Sequence, residues 1–395
     1  MNLKNNIPLF YVFKFVGALG FSLPIFSLFF LSQGISFAQL SFIIILFNIA
    51  NVVFEIPSGY FADIFGRKNS LIVSRLLFTI AFSVIVLINS YPAFLIGWAL
   101  NGVALAFFSG ADSALIYDTL KKLGRKHEFK KIQGRSFALR MAAMGIGAPV
   151  GGYFAEQFGL IVPMYMMVFV GITSFTIGLF LIEPGRGQNK PSKNLSLHFK
   201  SSFNTIKKDK VILASLLLYS SAFSMIVSSH YLFQPYLNKI GVDLKYFGII
   251  YMLLLFSSGI SAFYAHKADK FIGIKYSFLF IFILVILDFF TKAFFPLIII
   301  CVIASLINNL VFGYLNPLFF DIVNKRIRTY NRATILSIAN FTSSFFIFVF
   351  NPFFGYLADK FSLFHTFFAL FIVTGLFGVI LLPYLFGIVN KRILE

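Results

Sequence analysis

At 395 residues, 59% hydrophobic and 12% charged, with a mean hydropathy of +0.88, the chain has too little polar surface for a soluble domain and reads as an integral membrane protein. Its net charge of +19 does not indicate nucleic acid, because the basic residues are spread over short loops and not gathered on one solvated face. Cys301 is the only cysteine, and no H-E-x-x-H, P-loop or G-x-S-x-G string occurs, so no cofactor, metal site, ATP hydrolysis or other enzymatic activity is expected.

Taken in order, the first apolar run, 8–31, is too long for the core of a cleaved leader and reads as a span. Runs long enough to cross a hydrocarbon core of about 30 Å continue near 37–60, 70–89, 92–119, 132–157 and 162–183. A second set lies near 211–233, 245–266, 275–293, 296–321, 333–357 and 364–388. This predicts an all-α fold of twelve transmembrane helices: a six-helix bundle over 1–183, a cytoplasmic linker over 184–210 and a second bundle over 211–395. Within the linker, Leu195, Phe199, Phe203 and Ile206 recur at helical intervals among lysines. That pattern suits a helix lying on the membrane surface, or one covering the cytoplasmic ends of the bundle.

Of the 33 Lys and Arg residues, only Lys239, Lys245, Lys292 and Lys360 fall on one side of this map. The positive-inside rule then puts both termini, the Arg67 loop, the linker and the loops at 121–131 and 325–332 in the cytoplasm, with the bacterial inner membrane as the expected location.

Between the second and third runs stands EIPSGYFADIFGRK, residues 55–68. Gly59 leaves room for a neighbouring helix, Gly66 permits the positive φ of a sharp turn, and Asp63 and Arg67, four apart, are helical neighbours of opposite charge. The stretch is either a latch whose charged partners can change or a solvated turn. It also repeats. GYFADIFG at 59–66 returns as GYFAEQFG at 152–159 and GYLADKFS at 355–362, with a weaker ADKFIG at 268–273. GADSALIYD at 110–118 matches GYLNPLFFD at 313–321, and Pro149 precedes Gly152 as Pro352 precedes Gly355. Spans two and five end on opposite faces, as inverted three-plus-three repeats require.

Gly59, Asp63, Gly66, Arg67 and Lys68 form G-x-x-x-D-x-x-G-R-K, which resembles the signature loop of the major facilitator superfamily; Ile64 stands where a basic residue is common. With the repeats, the resemblance covers essentially the whole chain. It implies that spans 1, 4, 7 and 10 line a central cavity, and that Asp118 joins Asp63 and Arg67 in closing the inner mouth. Two departures touch function. The R-x-x-x-G pattern of proton-coupled members aligns with Trp98 to Gly102, so its arginine is a tryptophan, and the antiporter motif of the fifth span is only echoed, as GIGAPVGG at 145–152.

Ionisable residues inside spans are costly and need compensation. Lys14, Glu55, Asp112 and Arg140 all fall about 7 to 10 Å to the cytoplasmic side of their span midpoints by helical rise. Asp112 or Glu55 then reads as a protonatable switch tuned by Lys14 and Arg140, or all four as a permanent ion cluster. In the second half, Asn308 and Asn309 lie mid-span, where amides orient a solute or bond helix to helix. His230 and Gln234 end the seventh run near the outer mouth as further cavity candidates, and Asp288 has Lys292 four residues on as a local pair. The aromatic residues Tyr11, Tyr117, Tyr219 and Tyr314 point to an amphipathic or aromatic ligand. The reading is a monomeric secondary transporter in the lipid bilayer, moving a small organic molecule out of the cell in exchange for protons. An importer of a metabolite and a transport-fold receptor without flux are the alternatives.

Overall fold

The computed structural model describes residues 3–185, 206–207, 209–327 and 332–394. The linker helix expected over 195–206 lies, but for Ile206, outside the described residues, as does the 328–331 part of the loop expected at 325–332. Among the described residues every regular element is helical. In chain order these are α1 (Asn6–Val16), α2 (Phe26–Ser32), α3 (Phe37–Phe65), α4 (Arg67–Leu87), α5 (Tyr91–Phe108), α6 (Ala111–Lys122), α7 (Phe129–Phe158) and α8 (Ile161–Phe180). Then follow α9 (Lys210–Lys239), α10 (Leu244–Ala265), α11 (Ile272–Phe294), α12 (Ile298–Arg326), α13 (Arg332–Lys360) and α14 (Leu363–Leu394). Helical hydrogen bonding runs on from α10 to α11, but Gly273, at φ 69° and ψ 161°, separates their axes.

By length and apolarity, 10 of the described helical segments are able to cross a membrane, α5 and α6 counting as one. The other two expected spans are α7, 30 residues long and carrying several basic residues, and the broken pair α1 and α2. The first span is thus not the single helix its apolar length suggested. Pro24 has no N–H to donate and its ring clashes with the carbonyl four residues back, that of Gly20, while Gly17 and Gly20 are poor helix formers. Short turn bonds fill the gap, among them Leu23 N–H to the Gly20 carbonyl at 3.1 Å. Irregular backbone at this depth has to be covered by protein, and glycines of α7 supply the cover. A Cβ at Gly147 would run into the backbone of Gly20, and one at Gly151 into that of Phe21. The GIGAPVGG string therefore forms a flat face against the break in the first span.

By Cα proximity the chain groups into two compact units, one of Met1–Ile35, Gln39–Pro191 and Asp243–Met252, the other of Ser36–Ala38, Ser192–Val242 and Leu253–Glu395. In the first, serines tie helices through backbone carbonyls: Ser58 to Ala106, Ser70 to Phe107 and Ser74 to Ala104, at 2.9, 2.7 and 2.7 Å. Fully buried Asn6 anchors the start of α1, donating to Thr119 Oγ1 at 3.0 Å and to the Ile182 carbonyl at 2.8 Å, and accepting from Ile182 N–H at 2.8 Å. In the second unit α9 is the most buried helix, with 78% of its apolar window buried against 28–39% for α11 to α14. Large apolar side chains such as Phe169, Phe263 and Val379 stay exposed on the helices, as a surface solvated by acyl chains requires.

Candidate functional site

The fourth span is bent where α5 ends at Phe108 and α6 begins at Ala111, with Gly110 at φ 75° between them. That bend puts Asp112 in the first turn of α6, where the helix N-terminus favours a carboxylate; Asp112 Oδ1 accepts the Ser113 N–H at 2.7 Å. Its other oxygen, Oδ2, meets Lys14 Nζ from α1 at 2.6 Å, and each residue is only 8% exposed. The neighbouring Ser113 is tied to α7 by Gln133, which donates to Ser113 Oγ at 2.6 Å.

Arg75 of α4 completes the cluster, and the sequence reading missed it. It is 8% exposed and lies on Phe108, Phe13 and Phe78, with its Cζ 4.6, 5.2 and 5.8 Å from their ring centroids. Lys14 Nζ stands 4.7 Å from the Phe108 centroid, so two cations share one ring. The Arg75 guanidinium passes where a side chain at Gly17 would be, and among the described residues its only hydrogen bond is a long one, 3.4 Å, to the Gly17 carbonyl. Its buried Nε has no partner. Arg75 and Arg140 both act electrostatically on Lys14.

Glu55 is not in this cluster. It is exposed within a run of exposed residues on α3, and among the described residues it makes no ion pair. Helical rise fixes the depth of a residue but not the direction in which it points, and Glu55 points away. The expected neutral network of two cations and two carboxylates is replaced by three cations and one carboxylate.

These cations border a cavity of about 300 Å³ within the first unit. Lys14, Arg75 and Arg140 are the ionisable residues of its wall, and Ser22, Ser74 and Asn101 are polar; the rest is apolar or aromatic. Trp98, standing where the resemblance places an arginine, packs against Phe26, Phe47 and Phe82 with centroids at 4.6, 5.8 and 5.9 Å.

The expected latch residues lie together at the other end of α3. Asp63 Oδ1 meets Arg67 Nη1 at 2.6 Å across Gly66, whose φ of 100° makes the one-residue joint between α3 and α4. Asp118 borders the same small cleft, and so does Glu183, which the sequence reading assigned only to the border of the linker. Glu183 Oε2 accepts the Lys68 N–H at 2.8 Å, serving as a remote cap for α4, while Lys68 Nζ donates to the Leu179 carbonyl at 2.8 Å. Gly59 does not make the tight helix contact expected of it, since a side chain there would meet nothing within 4 Å.

In the second unit, Asp288 and Lys292 form a pair at 2.8 Å with side chains 0 and 2% exposed. Asn308 Nδ2 donates to Asp288 Oδ2 at 2.6 Å, a helix-to-helix bond, and Asn309 Nδ2 donates to the Ser305 carbonyl of its own helix at 3.0 Å. Each amide nitrogen keeps a second N–H, and Asn308 Oδ1 is buried without a hydrogen-bond partner. His230 and Gln234 lie inside α9 and not at its end; Gln234 is 3% exposed, and the buried His230 Nε2 stands without a hydrogen bond beside Phe312. Of the four tyrosines, Tyr219 donates to Asn316 Oδ1 at 2.7 Å and Tyr314 bonds Ser277 at 2.8 Å.

Comparison with known proteins gives a consistent result. The model of the Major Facilitator Superfamily matches residues 10–350. An uncharacterized transporter of Buchnera aphidicola subsp. Schizaphis graminum is 29% identical over 211 residues, 52% of this chain and 51% of the relative. Multidrug resistance protein 2 of Bacillus subtilis is 27% identical over 197 residues, 49% of this chain and 47% of the relative. The chain thus spans about half the length of these curated relatives. The crystal structure of nucleoside transporter NupG superposes with a TM-score of 0.78 at 17% identity, covering 98% of this chain and 99% of that one, which shows a shared fold.

Proposed function

Since the chain belongs to the Major Facilitator Superfamily, a family of multi-pass membrane transporters and not of enzymes, we propose that it moves a small organic molecule by alternating access, coupled to protons at Asp112. The observation that carries this is the 2.6 Å Lys14–Asp112 pair beside a cavity of about 300 Å³. A carboxylate ion-paired directly with one lysine can exchange that partner for a proton, which is what a coupling site needs. Asp63, Arg67 and Asp118, with Gly66 as the joint and Glu183 beside them, act as the latch of the inner mouth. The charge asymmetry of the loops supports cytoplasmic termini, and the bacterial relatives support the inner membrane.

Export in exchange for protons is the direction supported by the similarity to a multidrug resistance protein and by the GIGAPVGG echo. Uptake together with protons is the second reading, favoured by the excess of cations at the cavity. Proteoliposomes carrying a trapped pH dye separate them. A solute that stabilises the purified protein against heat is expected to move protons only in its presence, opposite to its own flux for export and along with it for uptake. Should every stabilising solute move without protons, Asp112 is not a coupling site.

A further inference from the structure

We propose that the cavity of the first unit takes an amphipathic organic anion: a carboxylate, sulfonate or phosphate group carried on a small aromatic or apolar body. This rests on reading the cavity as the solute site of a transporter, and it names the class of solute. The charge balance carries it. Lys14, Arg75 and Arg140 border the cavity and no carboxylate does. The one carboxylate behind the wall, Asp112, is engaged by Lys14. The buried Arg75 feels Asp112 only at a distance, and among the described residues neither it nor the more exposed Arg140 makes a direct ion pair.

For Arg75 the deficit is also local. Burial strips it of water, its Nε has no hydrogen-bond partner and the contact to Gly17 is long. Three phenylalanine faces partly offset that cost, but a ring accepts no in-plane hydrogen bond. A planar or tetrahedral oxyanion fits a guanidinium fork with two parallel bonds, the arrangement in which arginine binds most strongly. A cation entering the same space is repelled by the two guanidinium groups that make no direct ion pair, and most by the buried Arg75, where screening is weak. A sugar-like solute needs many hydrogen bonds, whereas the wall offers few polar groups and Ser74 Oγ is spent on the Ala104 carbonyl at 2.7 Å. The walls suit an apolar body, with Trp98 as the broad face against which a ring would stack.

Trp98 is the only tryptophan of the chain, so its fluorescence reports on the cavity alone. The full chain, purified into phosphatidylcholine nanodiscs, is titrated with phenylacetate, benzenesulfonate and phenyl phosphate, and in parallel with phenylacetamide and phenethylammonium. At least one anion is expected to change the emission saturably, about tenfold or more tighter than the neutral amide, as a hydrogen bond to a charged group implies, with no saturable effect of the ammonium. Arg75→Gln is expected to bring the anion within about twofold of the amide, and Arg75→Lys to restore part of the difference. If Arg75→Gln does not fold, Arg140→Gln is expected to weaken the anion and spare the amide. Equal binding of amide and anion, or binding of the ammonium, overturns the proposal, as does failure of all three anions to bind. Adding phosphatidylglycerol to the nanodiscs is expected to leave the anion affinity unchanged; competition by that lipid would make the site one for a lipid headgroup and overturn the soluble solute. Because this readout needs no transport, anion binding without flux would sink the transporter reading alone, and proton-coupled flux of a neutral or cationic solute would sink this one alone.

Discussion

Two buried ion pairs have similar geometry and different surroundings, which is where the energetics of single residues can be tested. Lys14 and Asp112 pair at 2.6 Å, and Asp112 also interacts electrostatically with Arg75, so it retains a cation if Lys14 is lost. Asp288 and Lys292 pair at 2.8 Å, and among the described residues the only other hydrogen bond to that carboxylate comes from the uncharged amide of Asn308. Removing one partner of a buried pair costs about 3–5 kcal/mol when the other is left uncompensated. Lys292→Met should therefore lower the thermal midpoint of the purified protein far more than Lys14→Met. Equal losses would mean that Arg75 does not compensate Asp112. Lys14, Asp112 and Arg140 were legible in the sequence because an ionisable residue in an apolar run stands out. Arg75 was not, because it lies only eight residues beyond Arg67 and so counted among the basic residues of the cytoplasmic rim. Two turns of helix bring it about 12 Å in. Glu55 was misassigned for the reason noted above, that spacing along one helix gives height without direction.

Among the elements, the joints carry the most consequence. Gly110, at φ 75°, ends α5 and starts α6, and a side chain there would meet nothing within 4 Å. Any cost of Gly110→Ala therefore comes from a backbone at φ 75° and ψ −36°, which side chains other than glycine's rarely adopt, and not from crowding, about 1–3 kcal/mol. The substitution should lower stability by that amount and, by straightening the span, draw Asp112 away from Lys14. Solute-dependent proton movement that survived a measured loss of stability would separate the bend from coupling. The Gly66 joint brings Asp63 and Arg67 together, the pair proposed as part of the latch. If Asp63, Arg67 and Asp118 hold the inner mouth closed, Asp63→Asn should leave the protein folded, raise the labelling of cavity cysteines from the cytoplasmic side and slow transport. Unchanged labelling with normal transport would leave the stretch as a solvated turn. Most helix limits were legible, since apolar length and glycine punctuation set them. The break in the first span was not read, because its hydrophobicity continues through Gly17, Gly20 and Pro24 while its backbone does not.

At the scale of the whole molecule, bilayer thickness makes the number and order of spans readable, and the repeats make the family readable. Direction of transport is a different kind of property, set by the sign of the coupling between proton and solute, and that sign depends on which charges meet in space. An anion in the cavity adds negative charge beside Asp112 and competes with it for Lys14. A proton on Asp112 releases Lys14 and leaves three cations facing the solute, Lys14, Arg75 and Arg140. Anion and proton then favour each other's binding, and by linkage each raises the affinity for the other by the same factor. A cation would compete with the proton instead. The two outcomes are distinguishable in one protein: if the solute is an anion, its affinity measured on Trp98 should rise as the pH falls from neutral, and the dependence should vanish in Asp112→Asn with binding kept tight. In proteoliposomes the same variant should carry the anion without protons. If Asp112→Asn folds, binds and still transports against a gradient with full pH dependence, the coupling site lies elsewhere. An affinity that falls with falling pH in the unaltered protein would instead restore exchange and export.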